Sequence, residues 1–321
     1  MKISLGFWYT DRPGGVCIHR VLTDTPAPVL PAQIAGAPLV EIGRYCFAER
    51  EVIPQDAHFW STDGQGCDAY PHAVVGNFVE RVTLPDTVRV LHSAAFYNCR
   101  NLREIEVSPN IDSLGSDLFT NCRALRAFVL RAAPDAGTGL KKLVGAVAVD
   151  VTAEFTTPDG LQARLFYPEY SELLDENTPA HIFNRSIEGE GYRYRQCFDG
   201  GVLRFAEYDA GFSRACDGET PATLARIALG RLCFPFSLSE DAAIRYRDWL
   251  CAHPADAAAL VLTDRDPAAL RVLLAQDLLD APTRRDAAQR CGQLGWSEGA
   301  ALLLGSGKPK RKQYSFDDFD F

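Results

Sequence analysis

Few residues in this sequence have the types and spacing to do chemistry. His58, Cys67 and His72 lie close together, and histidine nitrogen with cysteine sulfur is the donor set of zinc sites. Their spacing of nine and then five residues fits no standard ligand pattern, so the stretch reads as an ordinary loop. Cys251 and His253 have the types of a nucleophile and its base. At i, i+2 on a helix they point to different faces and cannot pair. The run Tyr192-Arg193-Tyr194-Arg195 alternates rings and cations, as a base-stacking platform does. Without a wider basic surface it reads as the edge of an element, with Tyr packed inward and Arg in water. Gly64-Gln65-Gly66 is a lone GxG, and no HExxH, Walker or GxSxG pattern is present. None of the ten cysteines forms a CxxC pair, which removes zinc ribbons and thioredoxin-type redox chemistry. The sequence therefore gives no catalytic residue, no metal ligand and no cofactor.

The bulk properties narrow the classes further. The chain has 321 residues, 47% of them hydrophobic, enough for a sizeable core and two or three domains. A net charge of −9 argues against a general nucleic-acid binder, which needs clustered Lys and Arg. No window reaches the ~18 apolar residues of a membrane span. Residues 1–10 (MKISLGFWYT) lack the apolar run of a signal peptide. The expected location is the cytoplasm, with the cysteines as free thiols, most of them buried.

The elements that position these side chains begin with a repeat. Val82 matches Ile105, Leu84 matches Val107, Val88 matches Ile111 and Leu91 matches Leu114, all 23 residues apart. Phe96 matches Phe119, Asn98-Cys99 matches Asn121-Cys122, and Leu102 matches Leu125. Apolar and polar residues alternate from Leu102 to Val107 as in a half-buried strand, and Pro85 and Pro109 end the strands. Phe96 and Phe119 are expected to fill the space between coils. Each Asn should close its turn by bonding backbone, beside a buried Cys. One unit cannot bury its apolar side alone, so neighbours must stack. A degenerate unit precedes these, with residues 42–47 (IGRYCF) matching residues 114–119 (LGSDLF). Residues 51–77 between them are either an insertion or a worn third unit.

Leu84-Pro85, Val88, Ala95-Phe96, Cys99 and Leu102 stand in register with a pattern that resembles the BspA-like, or treponemal-type, leucine-rich repeat proteins of gut bacteria. Residues 105–125 follow it with Leu118 in place of Ala and Pro109 one place late. The resemblance implies a β-solenoid whose outward strand residues meet a ligand. Those residues are Arg81, Thr83, Glu104, Glu106 and Val129.

Around the repeat, residues 2–9 and 16–22 read as a hairpin turning at residues 11–15, a cap for the open edge of the stack. A second turn at residues 155–161 marks a small β-module. Six helices are expected from Thr220-Pro221, Ser239-Glu240, Ala255, Asp266-Pro267, Thr283 and Glu298. Residues 266–274 (DPAALRVLL) echo about 30 residues later as residues 297–304 (SEGAALLL), which resembles ankyrin-like helix pairs; an irregular bundle is the alternative. The tail carries a basic run (Lys308, Lys310, Arg311, Lys312) and an acidic-aromatic end, and is expected to be disordered.

The fold class is thus α+β, a short leucine-rich-repeat solenoid with a hairpin cap, a β-module and an antiparallel helical, ankyrin-like end. The expected division is 1–142, 143–218, 219–304 and a tail of 305–321. The expected function is a non-catalytic protein-binding or scaffold protein, with another protein as partner and neither nucleic acid nor membrane. The alternatives are an enzyme with its site between repeat and helices, or a structural subunit.

Overall fold

The computed structural model describes residues 3–177 and 182–305. Lys2, His181, the basic run and the acidic-aromatic end of the tail lie outside them. The chain divides into two compact units, one of Met1–Glu219 with Phe234–Ser239 and one of Thr220–Cys233 with Glu240–Phe321.

The first unit opens with the expected hairpin, β1 (Gly6–Arg12) and β2 (Gly15–Leu22). Gly14 sits at its tip with φ +84, a conformation that only glycine enters without steric cost. After the short β3 (Gln33–Ile34) comes β4 (Ala37–Ile42), which runs parallel to β2, so the hairpin prolongs the coil sheet. Arg20, 2% exposed, fastens it by donating to the carbonyls of Cys46, Ala48 and Arg50.

Residues 51–77 are an insertion and not a coil. The Phe47 N–H donates to Ala95 O at 2.8 Å, and the Phe47 and Phe96 rings stack at 4.8 Å. The two coils are therefore immediate neighbours. The insertion carries β5 (His58–Ser61), which pairs antiparallel with β1 at the far edge of the sheet.

Each of the next two coils sends one strand to each of two sheets. One sheet takes β6 (Arg81–Thr83), the other β7 (Val90–Leu91). The next coil gives β8 (Glu104–Val107) and β9 (Ser113–Leu114). Then β10 (Ala127–Leu130) joins β8 in parallel. Val82, Ile105 and Phe128 lie side by side, as do Ile42, Leu91 and Leu114 on the other sheet. Val29 bridges Thr83 and completes the first coil. The matched spacing of the sequence is thus the register of the solenoid.

Aromatic rings fill the centre. Phe96 and Phe119 follow Phe47 with centroids 5.7 Å apart, and Phe128 closes the ladder at 5.5 Å from Phe119. The thiol of Cys99 donates to Phe47 O and that of Cys122 to Phe96 O, each reaching back one coil. The asparagines behave differently from expectation. Asn98 and Asn121 take left-handed backbone with φ near +60, which Asn tolerates. Their side chains bond each other, Asn121 Nδ2 to Asn98 Oδ1 at 2.7 Å, and not the backbone.

Beyond the repeats, α1 (Leu140–Gly145) leads to β11 (Val151–Thr157), which joins β10 in parallel, and β12 (Gly160–Tyr167) returns antiparallel. The turn falls at Pro158-Asp159, within the expected span. Residues 143–218 therefore lie in the same compact unit as the repeats, and β11 and β12 share the repeat sheet. A hairpin of β13 (Ser171–Asn177) and β14 (Ile182–Glu188) precedes α2 (Gly191–Tyr194). The Tyr-Arg run falls in and after α2, and Arg195 is not in water. At 2% exposure it donates to the carbonyls of Val144, Val147, Val149, Pro168 and Gly191. Converging carbonyls replace the water that a buried cation loses. Two short helices, α3 (Phe205–Ala210) and α4 (Phe212–Ala215), follow, and Tyr208 donates its hydroxyl to Phe166 O at 2.7 Å.

The second unit holds the six expected helices: α5 (Pro221–Cys233), α6 (Glu240–Ala252), α7 (Pro254–Asp264), α8 (Pro267–Ala275), α9 (Ala281–Gln293) and α10 (Ser297–Gly305). The side chain of Asp266 caps α8, and that of Asp280 caps α9, which begins at Ala281, two residues ahead of the expected start. Arg265 and Gly295, 30 residues apart, both end their helices in left-handed backbone. Next to them Asp266 N donates to Val261 O, and Trp296 N donates to Cys291 O. The pair α7–α8 therefore recurs as α9–α10, with α7 against α9 and α8 against α10.

Candidate interaction face

Alternation along the strands separates two sides of the sheet formed by β6, β8, β10, β11 and β12. Val82, Ile105, Val107, Phe128, Leu130, Ala153 and Phe155 point inward and are buried. Arg81, Glu104, Ala127 and Thr152 form one outward row by register. Thr83, Glu106, Val129, Glu154 and Arg164 form the next. All five residues expected to meet a ligand, Arg81, Thr83, Glu104, Glu106 and Val129, are thus brought together on one face.

The charges on this face are matched among themselves. Arg81 Nε lies 3.1 Å from Glu104, and Arg164 Nε lies 2.8 Å from Glu154. The Thr83 hydroxyl donates to Glu106 at 3.1 Å. Arg131 bonds Glu106 and reaches Asp86 at 2.7 Å. Partial burial lifts the Glu104 carboxyl above its usual value; Arg81 opposes this, while Glu154 and Glu106 add to it. Burial works against the Arg131 cation, but its bonds to Glu106 and Asp86 outweigh that and hold it more firmly charged. Asp86, Arg131, Glu154 and Arg164 were not foreseen. The 23-residue period offered one signal, since Arg131 stands 23 places after the strand-end Ser108.

Two concavities flank the rows. One of about 590 Å³ is bounded by Glu80, Arg81, Arg103, Glu104 and Arg126. The other, about 560 Å³, lies between Asp86, Glu106, Arg131 and Pro158. A face of this kind can recognise a polypeptide by exchanging ion pairs and covering Val129.

The residues able to hold a metal lie on the other sheet. Among the described residues, the group of three is Cys17, Glu41 and His92, whose donor atoms lie within 4.8 Å of one another. His92 Nε2 is 2.8 Å from Glu41, and Arg12 Nε is 3.5 Å from the same carboxylate oxygen. Burial and the neighbouring Glu41 push the Cys17 thiol up to about 12. Burial, with Arg12 adding to it, brings His19 down to about 4. His58, Cys67 and His72 form no such group. Cys251 and His253 do not pair either: the His253 ring stacks on Trp249 at 4.2 Å, with Nδ1 against Trp249 O at 2.8 Å.

Residues 73–134 match the family "BspA type Leucine rich repeat region (6 copies)". The crystal structure of the T. pallidum leucine rich repeat protein is similar at 27% identity, with a TM-score of 0.29. That likeness covers 39% of this chain and 50% of that one, so it spans half the length of the T. pallidum protein. No curated protein matches the chain. Residues 73–134 are a BspA-type leucine-rich repeat region, and β6, β8 and β10 are its strand face.

Proposed function

We propose that the chain is a non-catalytic protein-binding or scaffold protein that meets its partner on the outward face of β6, β8, β10 and β11. The observation that carries this reading is continuity. Five outward residues from three successive coils form two unbroken rows, and two concavities border them. The repeat class adds support, since outward strand residues are where such solenoids present a surface. A polypeptide fits this face better than nucleic acid. Asp86, Glu104, Glu106 and Glu154 stand against Arg81, Arg131 and Arg164, which leaves no excess of cations for phosphates. No described helix is long and apolar enough to cross a membrane. We place the protein in the cytoplasm, a reducing compartment in which its ten cysteines stay as thiols.

The test is affinity capture from the source cell with three full-length chains. These are the wild type, the charge-swapped Arg81→Glu/Glu104→Arg/Glu106→Arg, and a control swap on the helical unit, Arg271→Glu/Glu298→Arg. The Arg81–Glu104 swap preserves that pair while inverting what a partner meets. Loss of a captured protein only in the strand-face variant supports the reading. The same proteins recovered by all three chains would overturn it.

A further inference from the structure

We propose that Cys17, Glu41 and His92, with His19 beside them, form a binding site for a zinc-class divalent transition-metal ion. The three side chains come from three different elements. Cys17 lies on β2 opposite Glu41 on β4, and His92 directly follows β7 in the next coil. Ile18, Ile42 and Leu91, their neighbours along the chain, are fully buried on the inner side, so the three polar groups share the outer side.

The donor set is sulfur, carboxylate oxygen and imidazole nitrogen, the mixture that suits zinc. Donors on one zinc ion sit about 2.0–2.3 Å from it, so two of them lie at most about 4.6 Å apart. The observed triangle, within 4.8 Å on every side, needs only small side-chain rotations to close on an ion.

Two backbone features bring these side chains together. The pairing of β2 with β4 slips between Val16 and Cys17, and such bulges re-aim a side chain. Gly43 lets β2 and the His19 ring approach more closely than any side chain there would allow. A Cβ there would lie 2.6 Å from Ile18 O, 2.7 Å from His19 Nδ1 and 3.3 Å from Cys17 Sγ. The free nitrogen side of His19 therefore faces the same space as the thiol. Its other nitrogen, Nε2, lies 2.9 Å from the Thr10 hydroxyl, the kind of outer contact that fixes a ligating ring. His19 stands beside the three-donor cluster and not within it, and a ring rotation that brings Nδ1 to the ion makes it the fourth donor of a closed, structural site.

Access is from the His92 side, where that side chain is 42% exposed, whereas Cys17 is 1% exposed. On binding, the S–H bond of Cys17 breaks, a sulfur–metal bond forms and the proton goes to solvent. Glu41 exchanges its contacts with His92 and Arg12 for the ion. The bound ion would join the hairpin cap to the first two coils.

The test uses the full chain with the two exposed thiols removed, Cys216→Ser/Cys251→Ser. Co²⁺ is titrated and the thiolate-to-cobalt charge-transfer absorption is followed, together with proton release. The expected result is saturation at one ion per chain with one proton released, and displacement of the spectrum by Zn²⁺. His92→Asn and Glu41→Gln, both partly exposed, should each weaken binding about tenfold or more, the scale set by losing a ligand or its support. Cys17→Ser should abolish the absorption. Zn²⁺ should raise the Tm of the parent and leave that of His92→Asn unmoved. Absence of the charge-transfer band in the parent overturns the proposal. So does a band that persists unchanged in His92→Asn, which reads the site even if Cys17→Ser fails to fold.

Discussion

On the strand face, outward charges have partners one strand away or just beyond: Arg81 with Glu104, Glu106 with Arg131, Glu154 with Arg164. On the opposite sheet, the donor atoms of Cys17, Glu41 and His92 lie within 4.8 Å of one another, and His19 and Cys17 close in on Gly43. The first arrangement belongs to a repeated register, so its pairs can be swapped without altering the backbone. The second arises once, where the hairpin cap meets the first two coils, and rests on close backbone approach. Function assigned to a repeat face by its periodicity therefore says nothing about what a junction between cap and coils can do.

Four substitutions test this contrast, beginning with the core that both sheets share. Phe96→Ala removes the middle of the ring ladder and should cost about 3–5 kcal/mol, read as a fall in the urea midpoint. On the side of β7 and β9, Gly115→Ala should cost about 1–3 kcal/mol or more. A Cβ there would meet the Ser93 backbone nitrogen at 2.1 Å, and backbone cannot swing aside as a side chain can. On the strand face, Arg131→Ala removes the cation from Glu106, which keeps its bond from Thr83, and from Asp86, and should cost about 1–2 kcal/mol, shrinking in high salt. If Arg131→Ala proves costlier than Gly115→Ala, the contrast between exchangeable pairs and fixed backbone is lost.

The smallest effect is a pH dependence. Burial holds Glu104 above its ordinary value of 4.5, against Arg81 on β6 and with Glu106 on its own strand and Glu154 on β11. The folded chain keeps a proton there that the unfolded chain has released. That contribution is fully present below the ordinary value and is lost as pH rises through the raised one. Glu104→Gln should flatten this part of the stability–pH curve, measured by urea unfolding at a series of pH values. A curve as steep as that of the wild type would count against the shift.

Much of the solenoid could be read in advance because its coils repeat. The 23-residue matches place Val82 beside Ile105 and Phe96 beside Phe119, and the match of residues 42–47 places Phe47 at the head of the ladder. The helical starts were legible because proline and aspartate mark them, and the 30-residue echo lies at the shared caps of α7–α8 and α9–α10. The second sheet was not, since β7 and β9 have two residues each, too short for alternation to show. Cys17, Glu41 and His92 have no local motif: register and a bulge unite them, and neither shows in spacing. Arg195 misled for a similar reason. Its burial depends on carbonyls from residues 144–149, far from it in sequence. The alternating run around it also folds as a helical turn.

The ring ladder passes from Phe47 to Phe96 as though the chain between them were absent. Gly76 N returns to Phe47 O at 2.8 Å, so the detour through residues 51–77 leaves and re-enters the stack at adjacent points. Closing such an excursion costs chain entropy that grows only with the logarithm of its length. A coil junction of this kind is a docking port for foreign sequence: evolution can lengthen, replace or decorate the excursion while the ladder above and below it stays in step. New surface is gained there without disturbing the stacking of the coils.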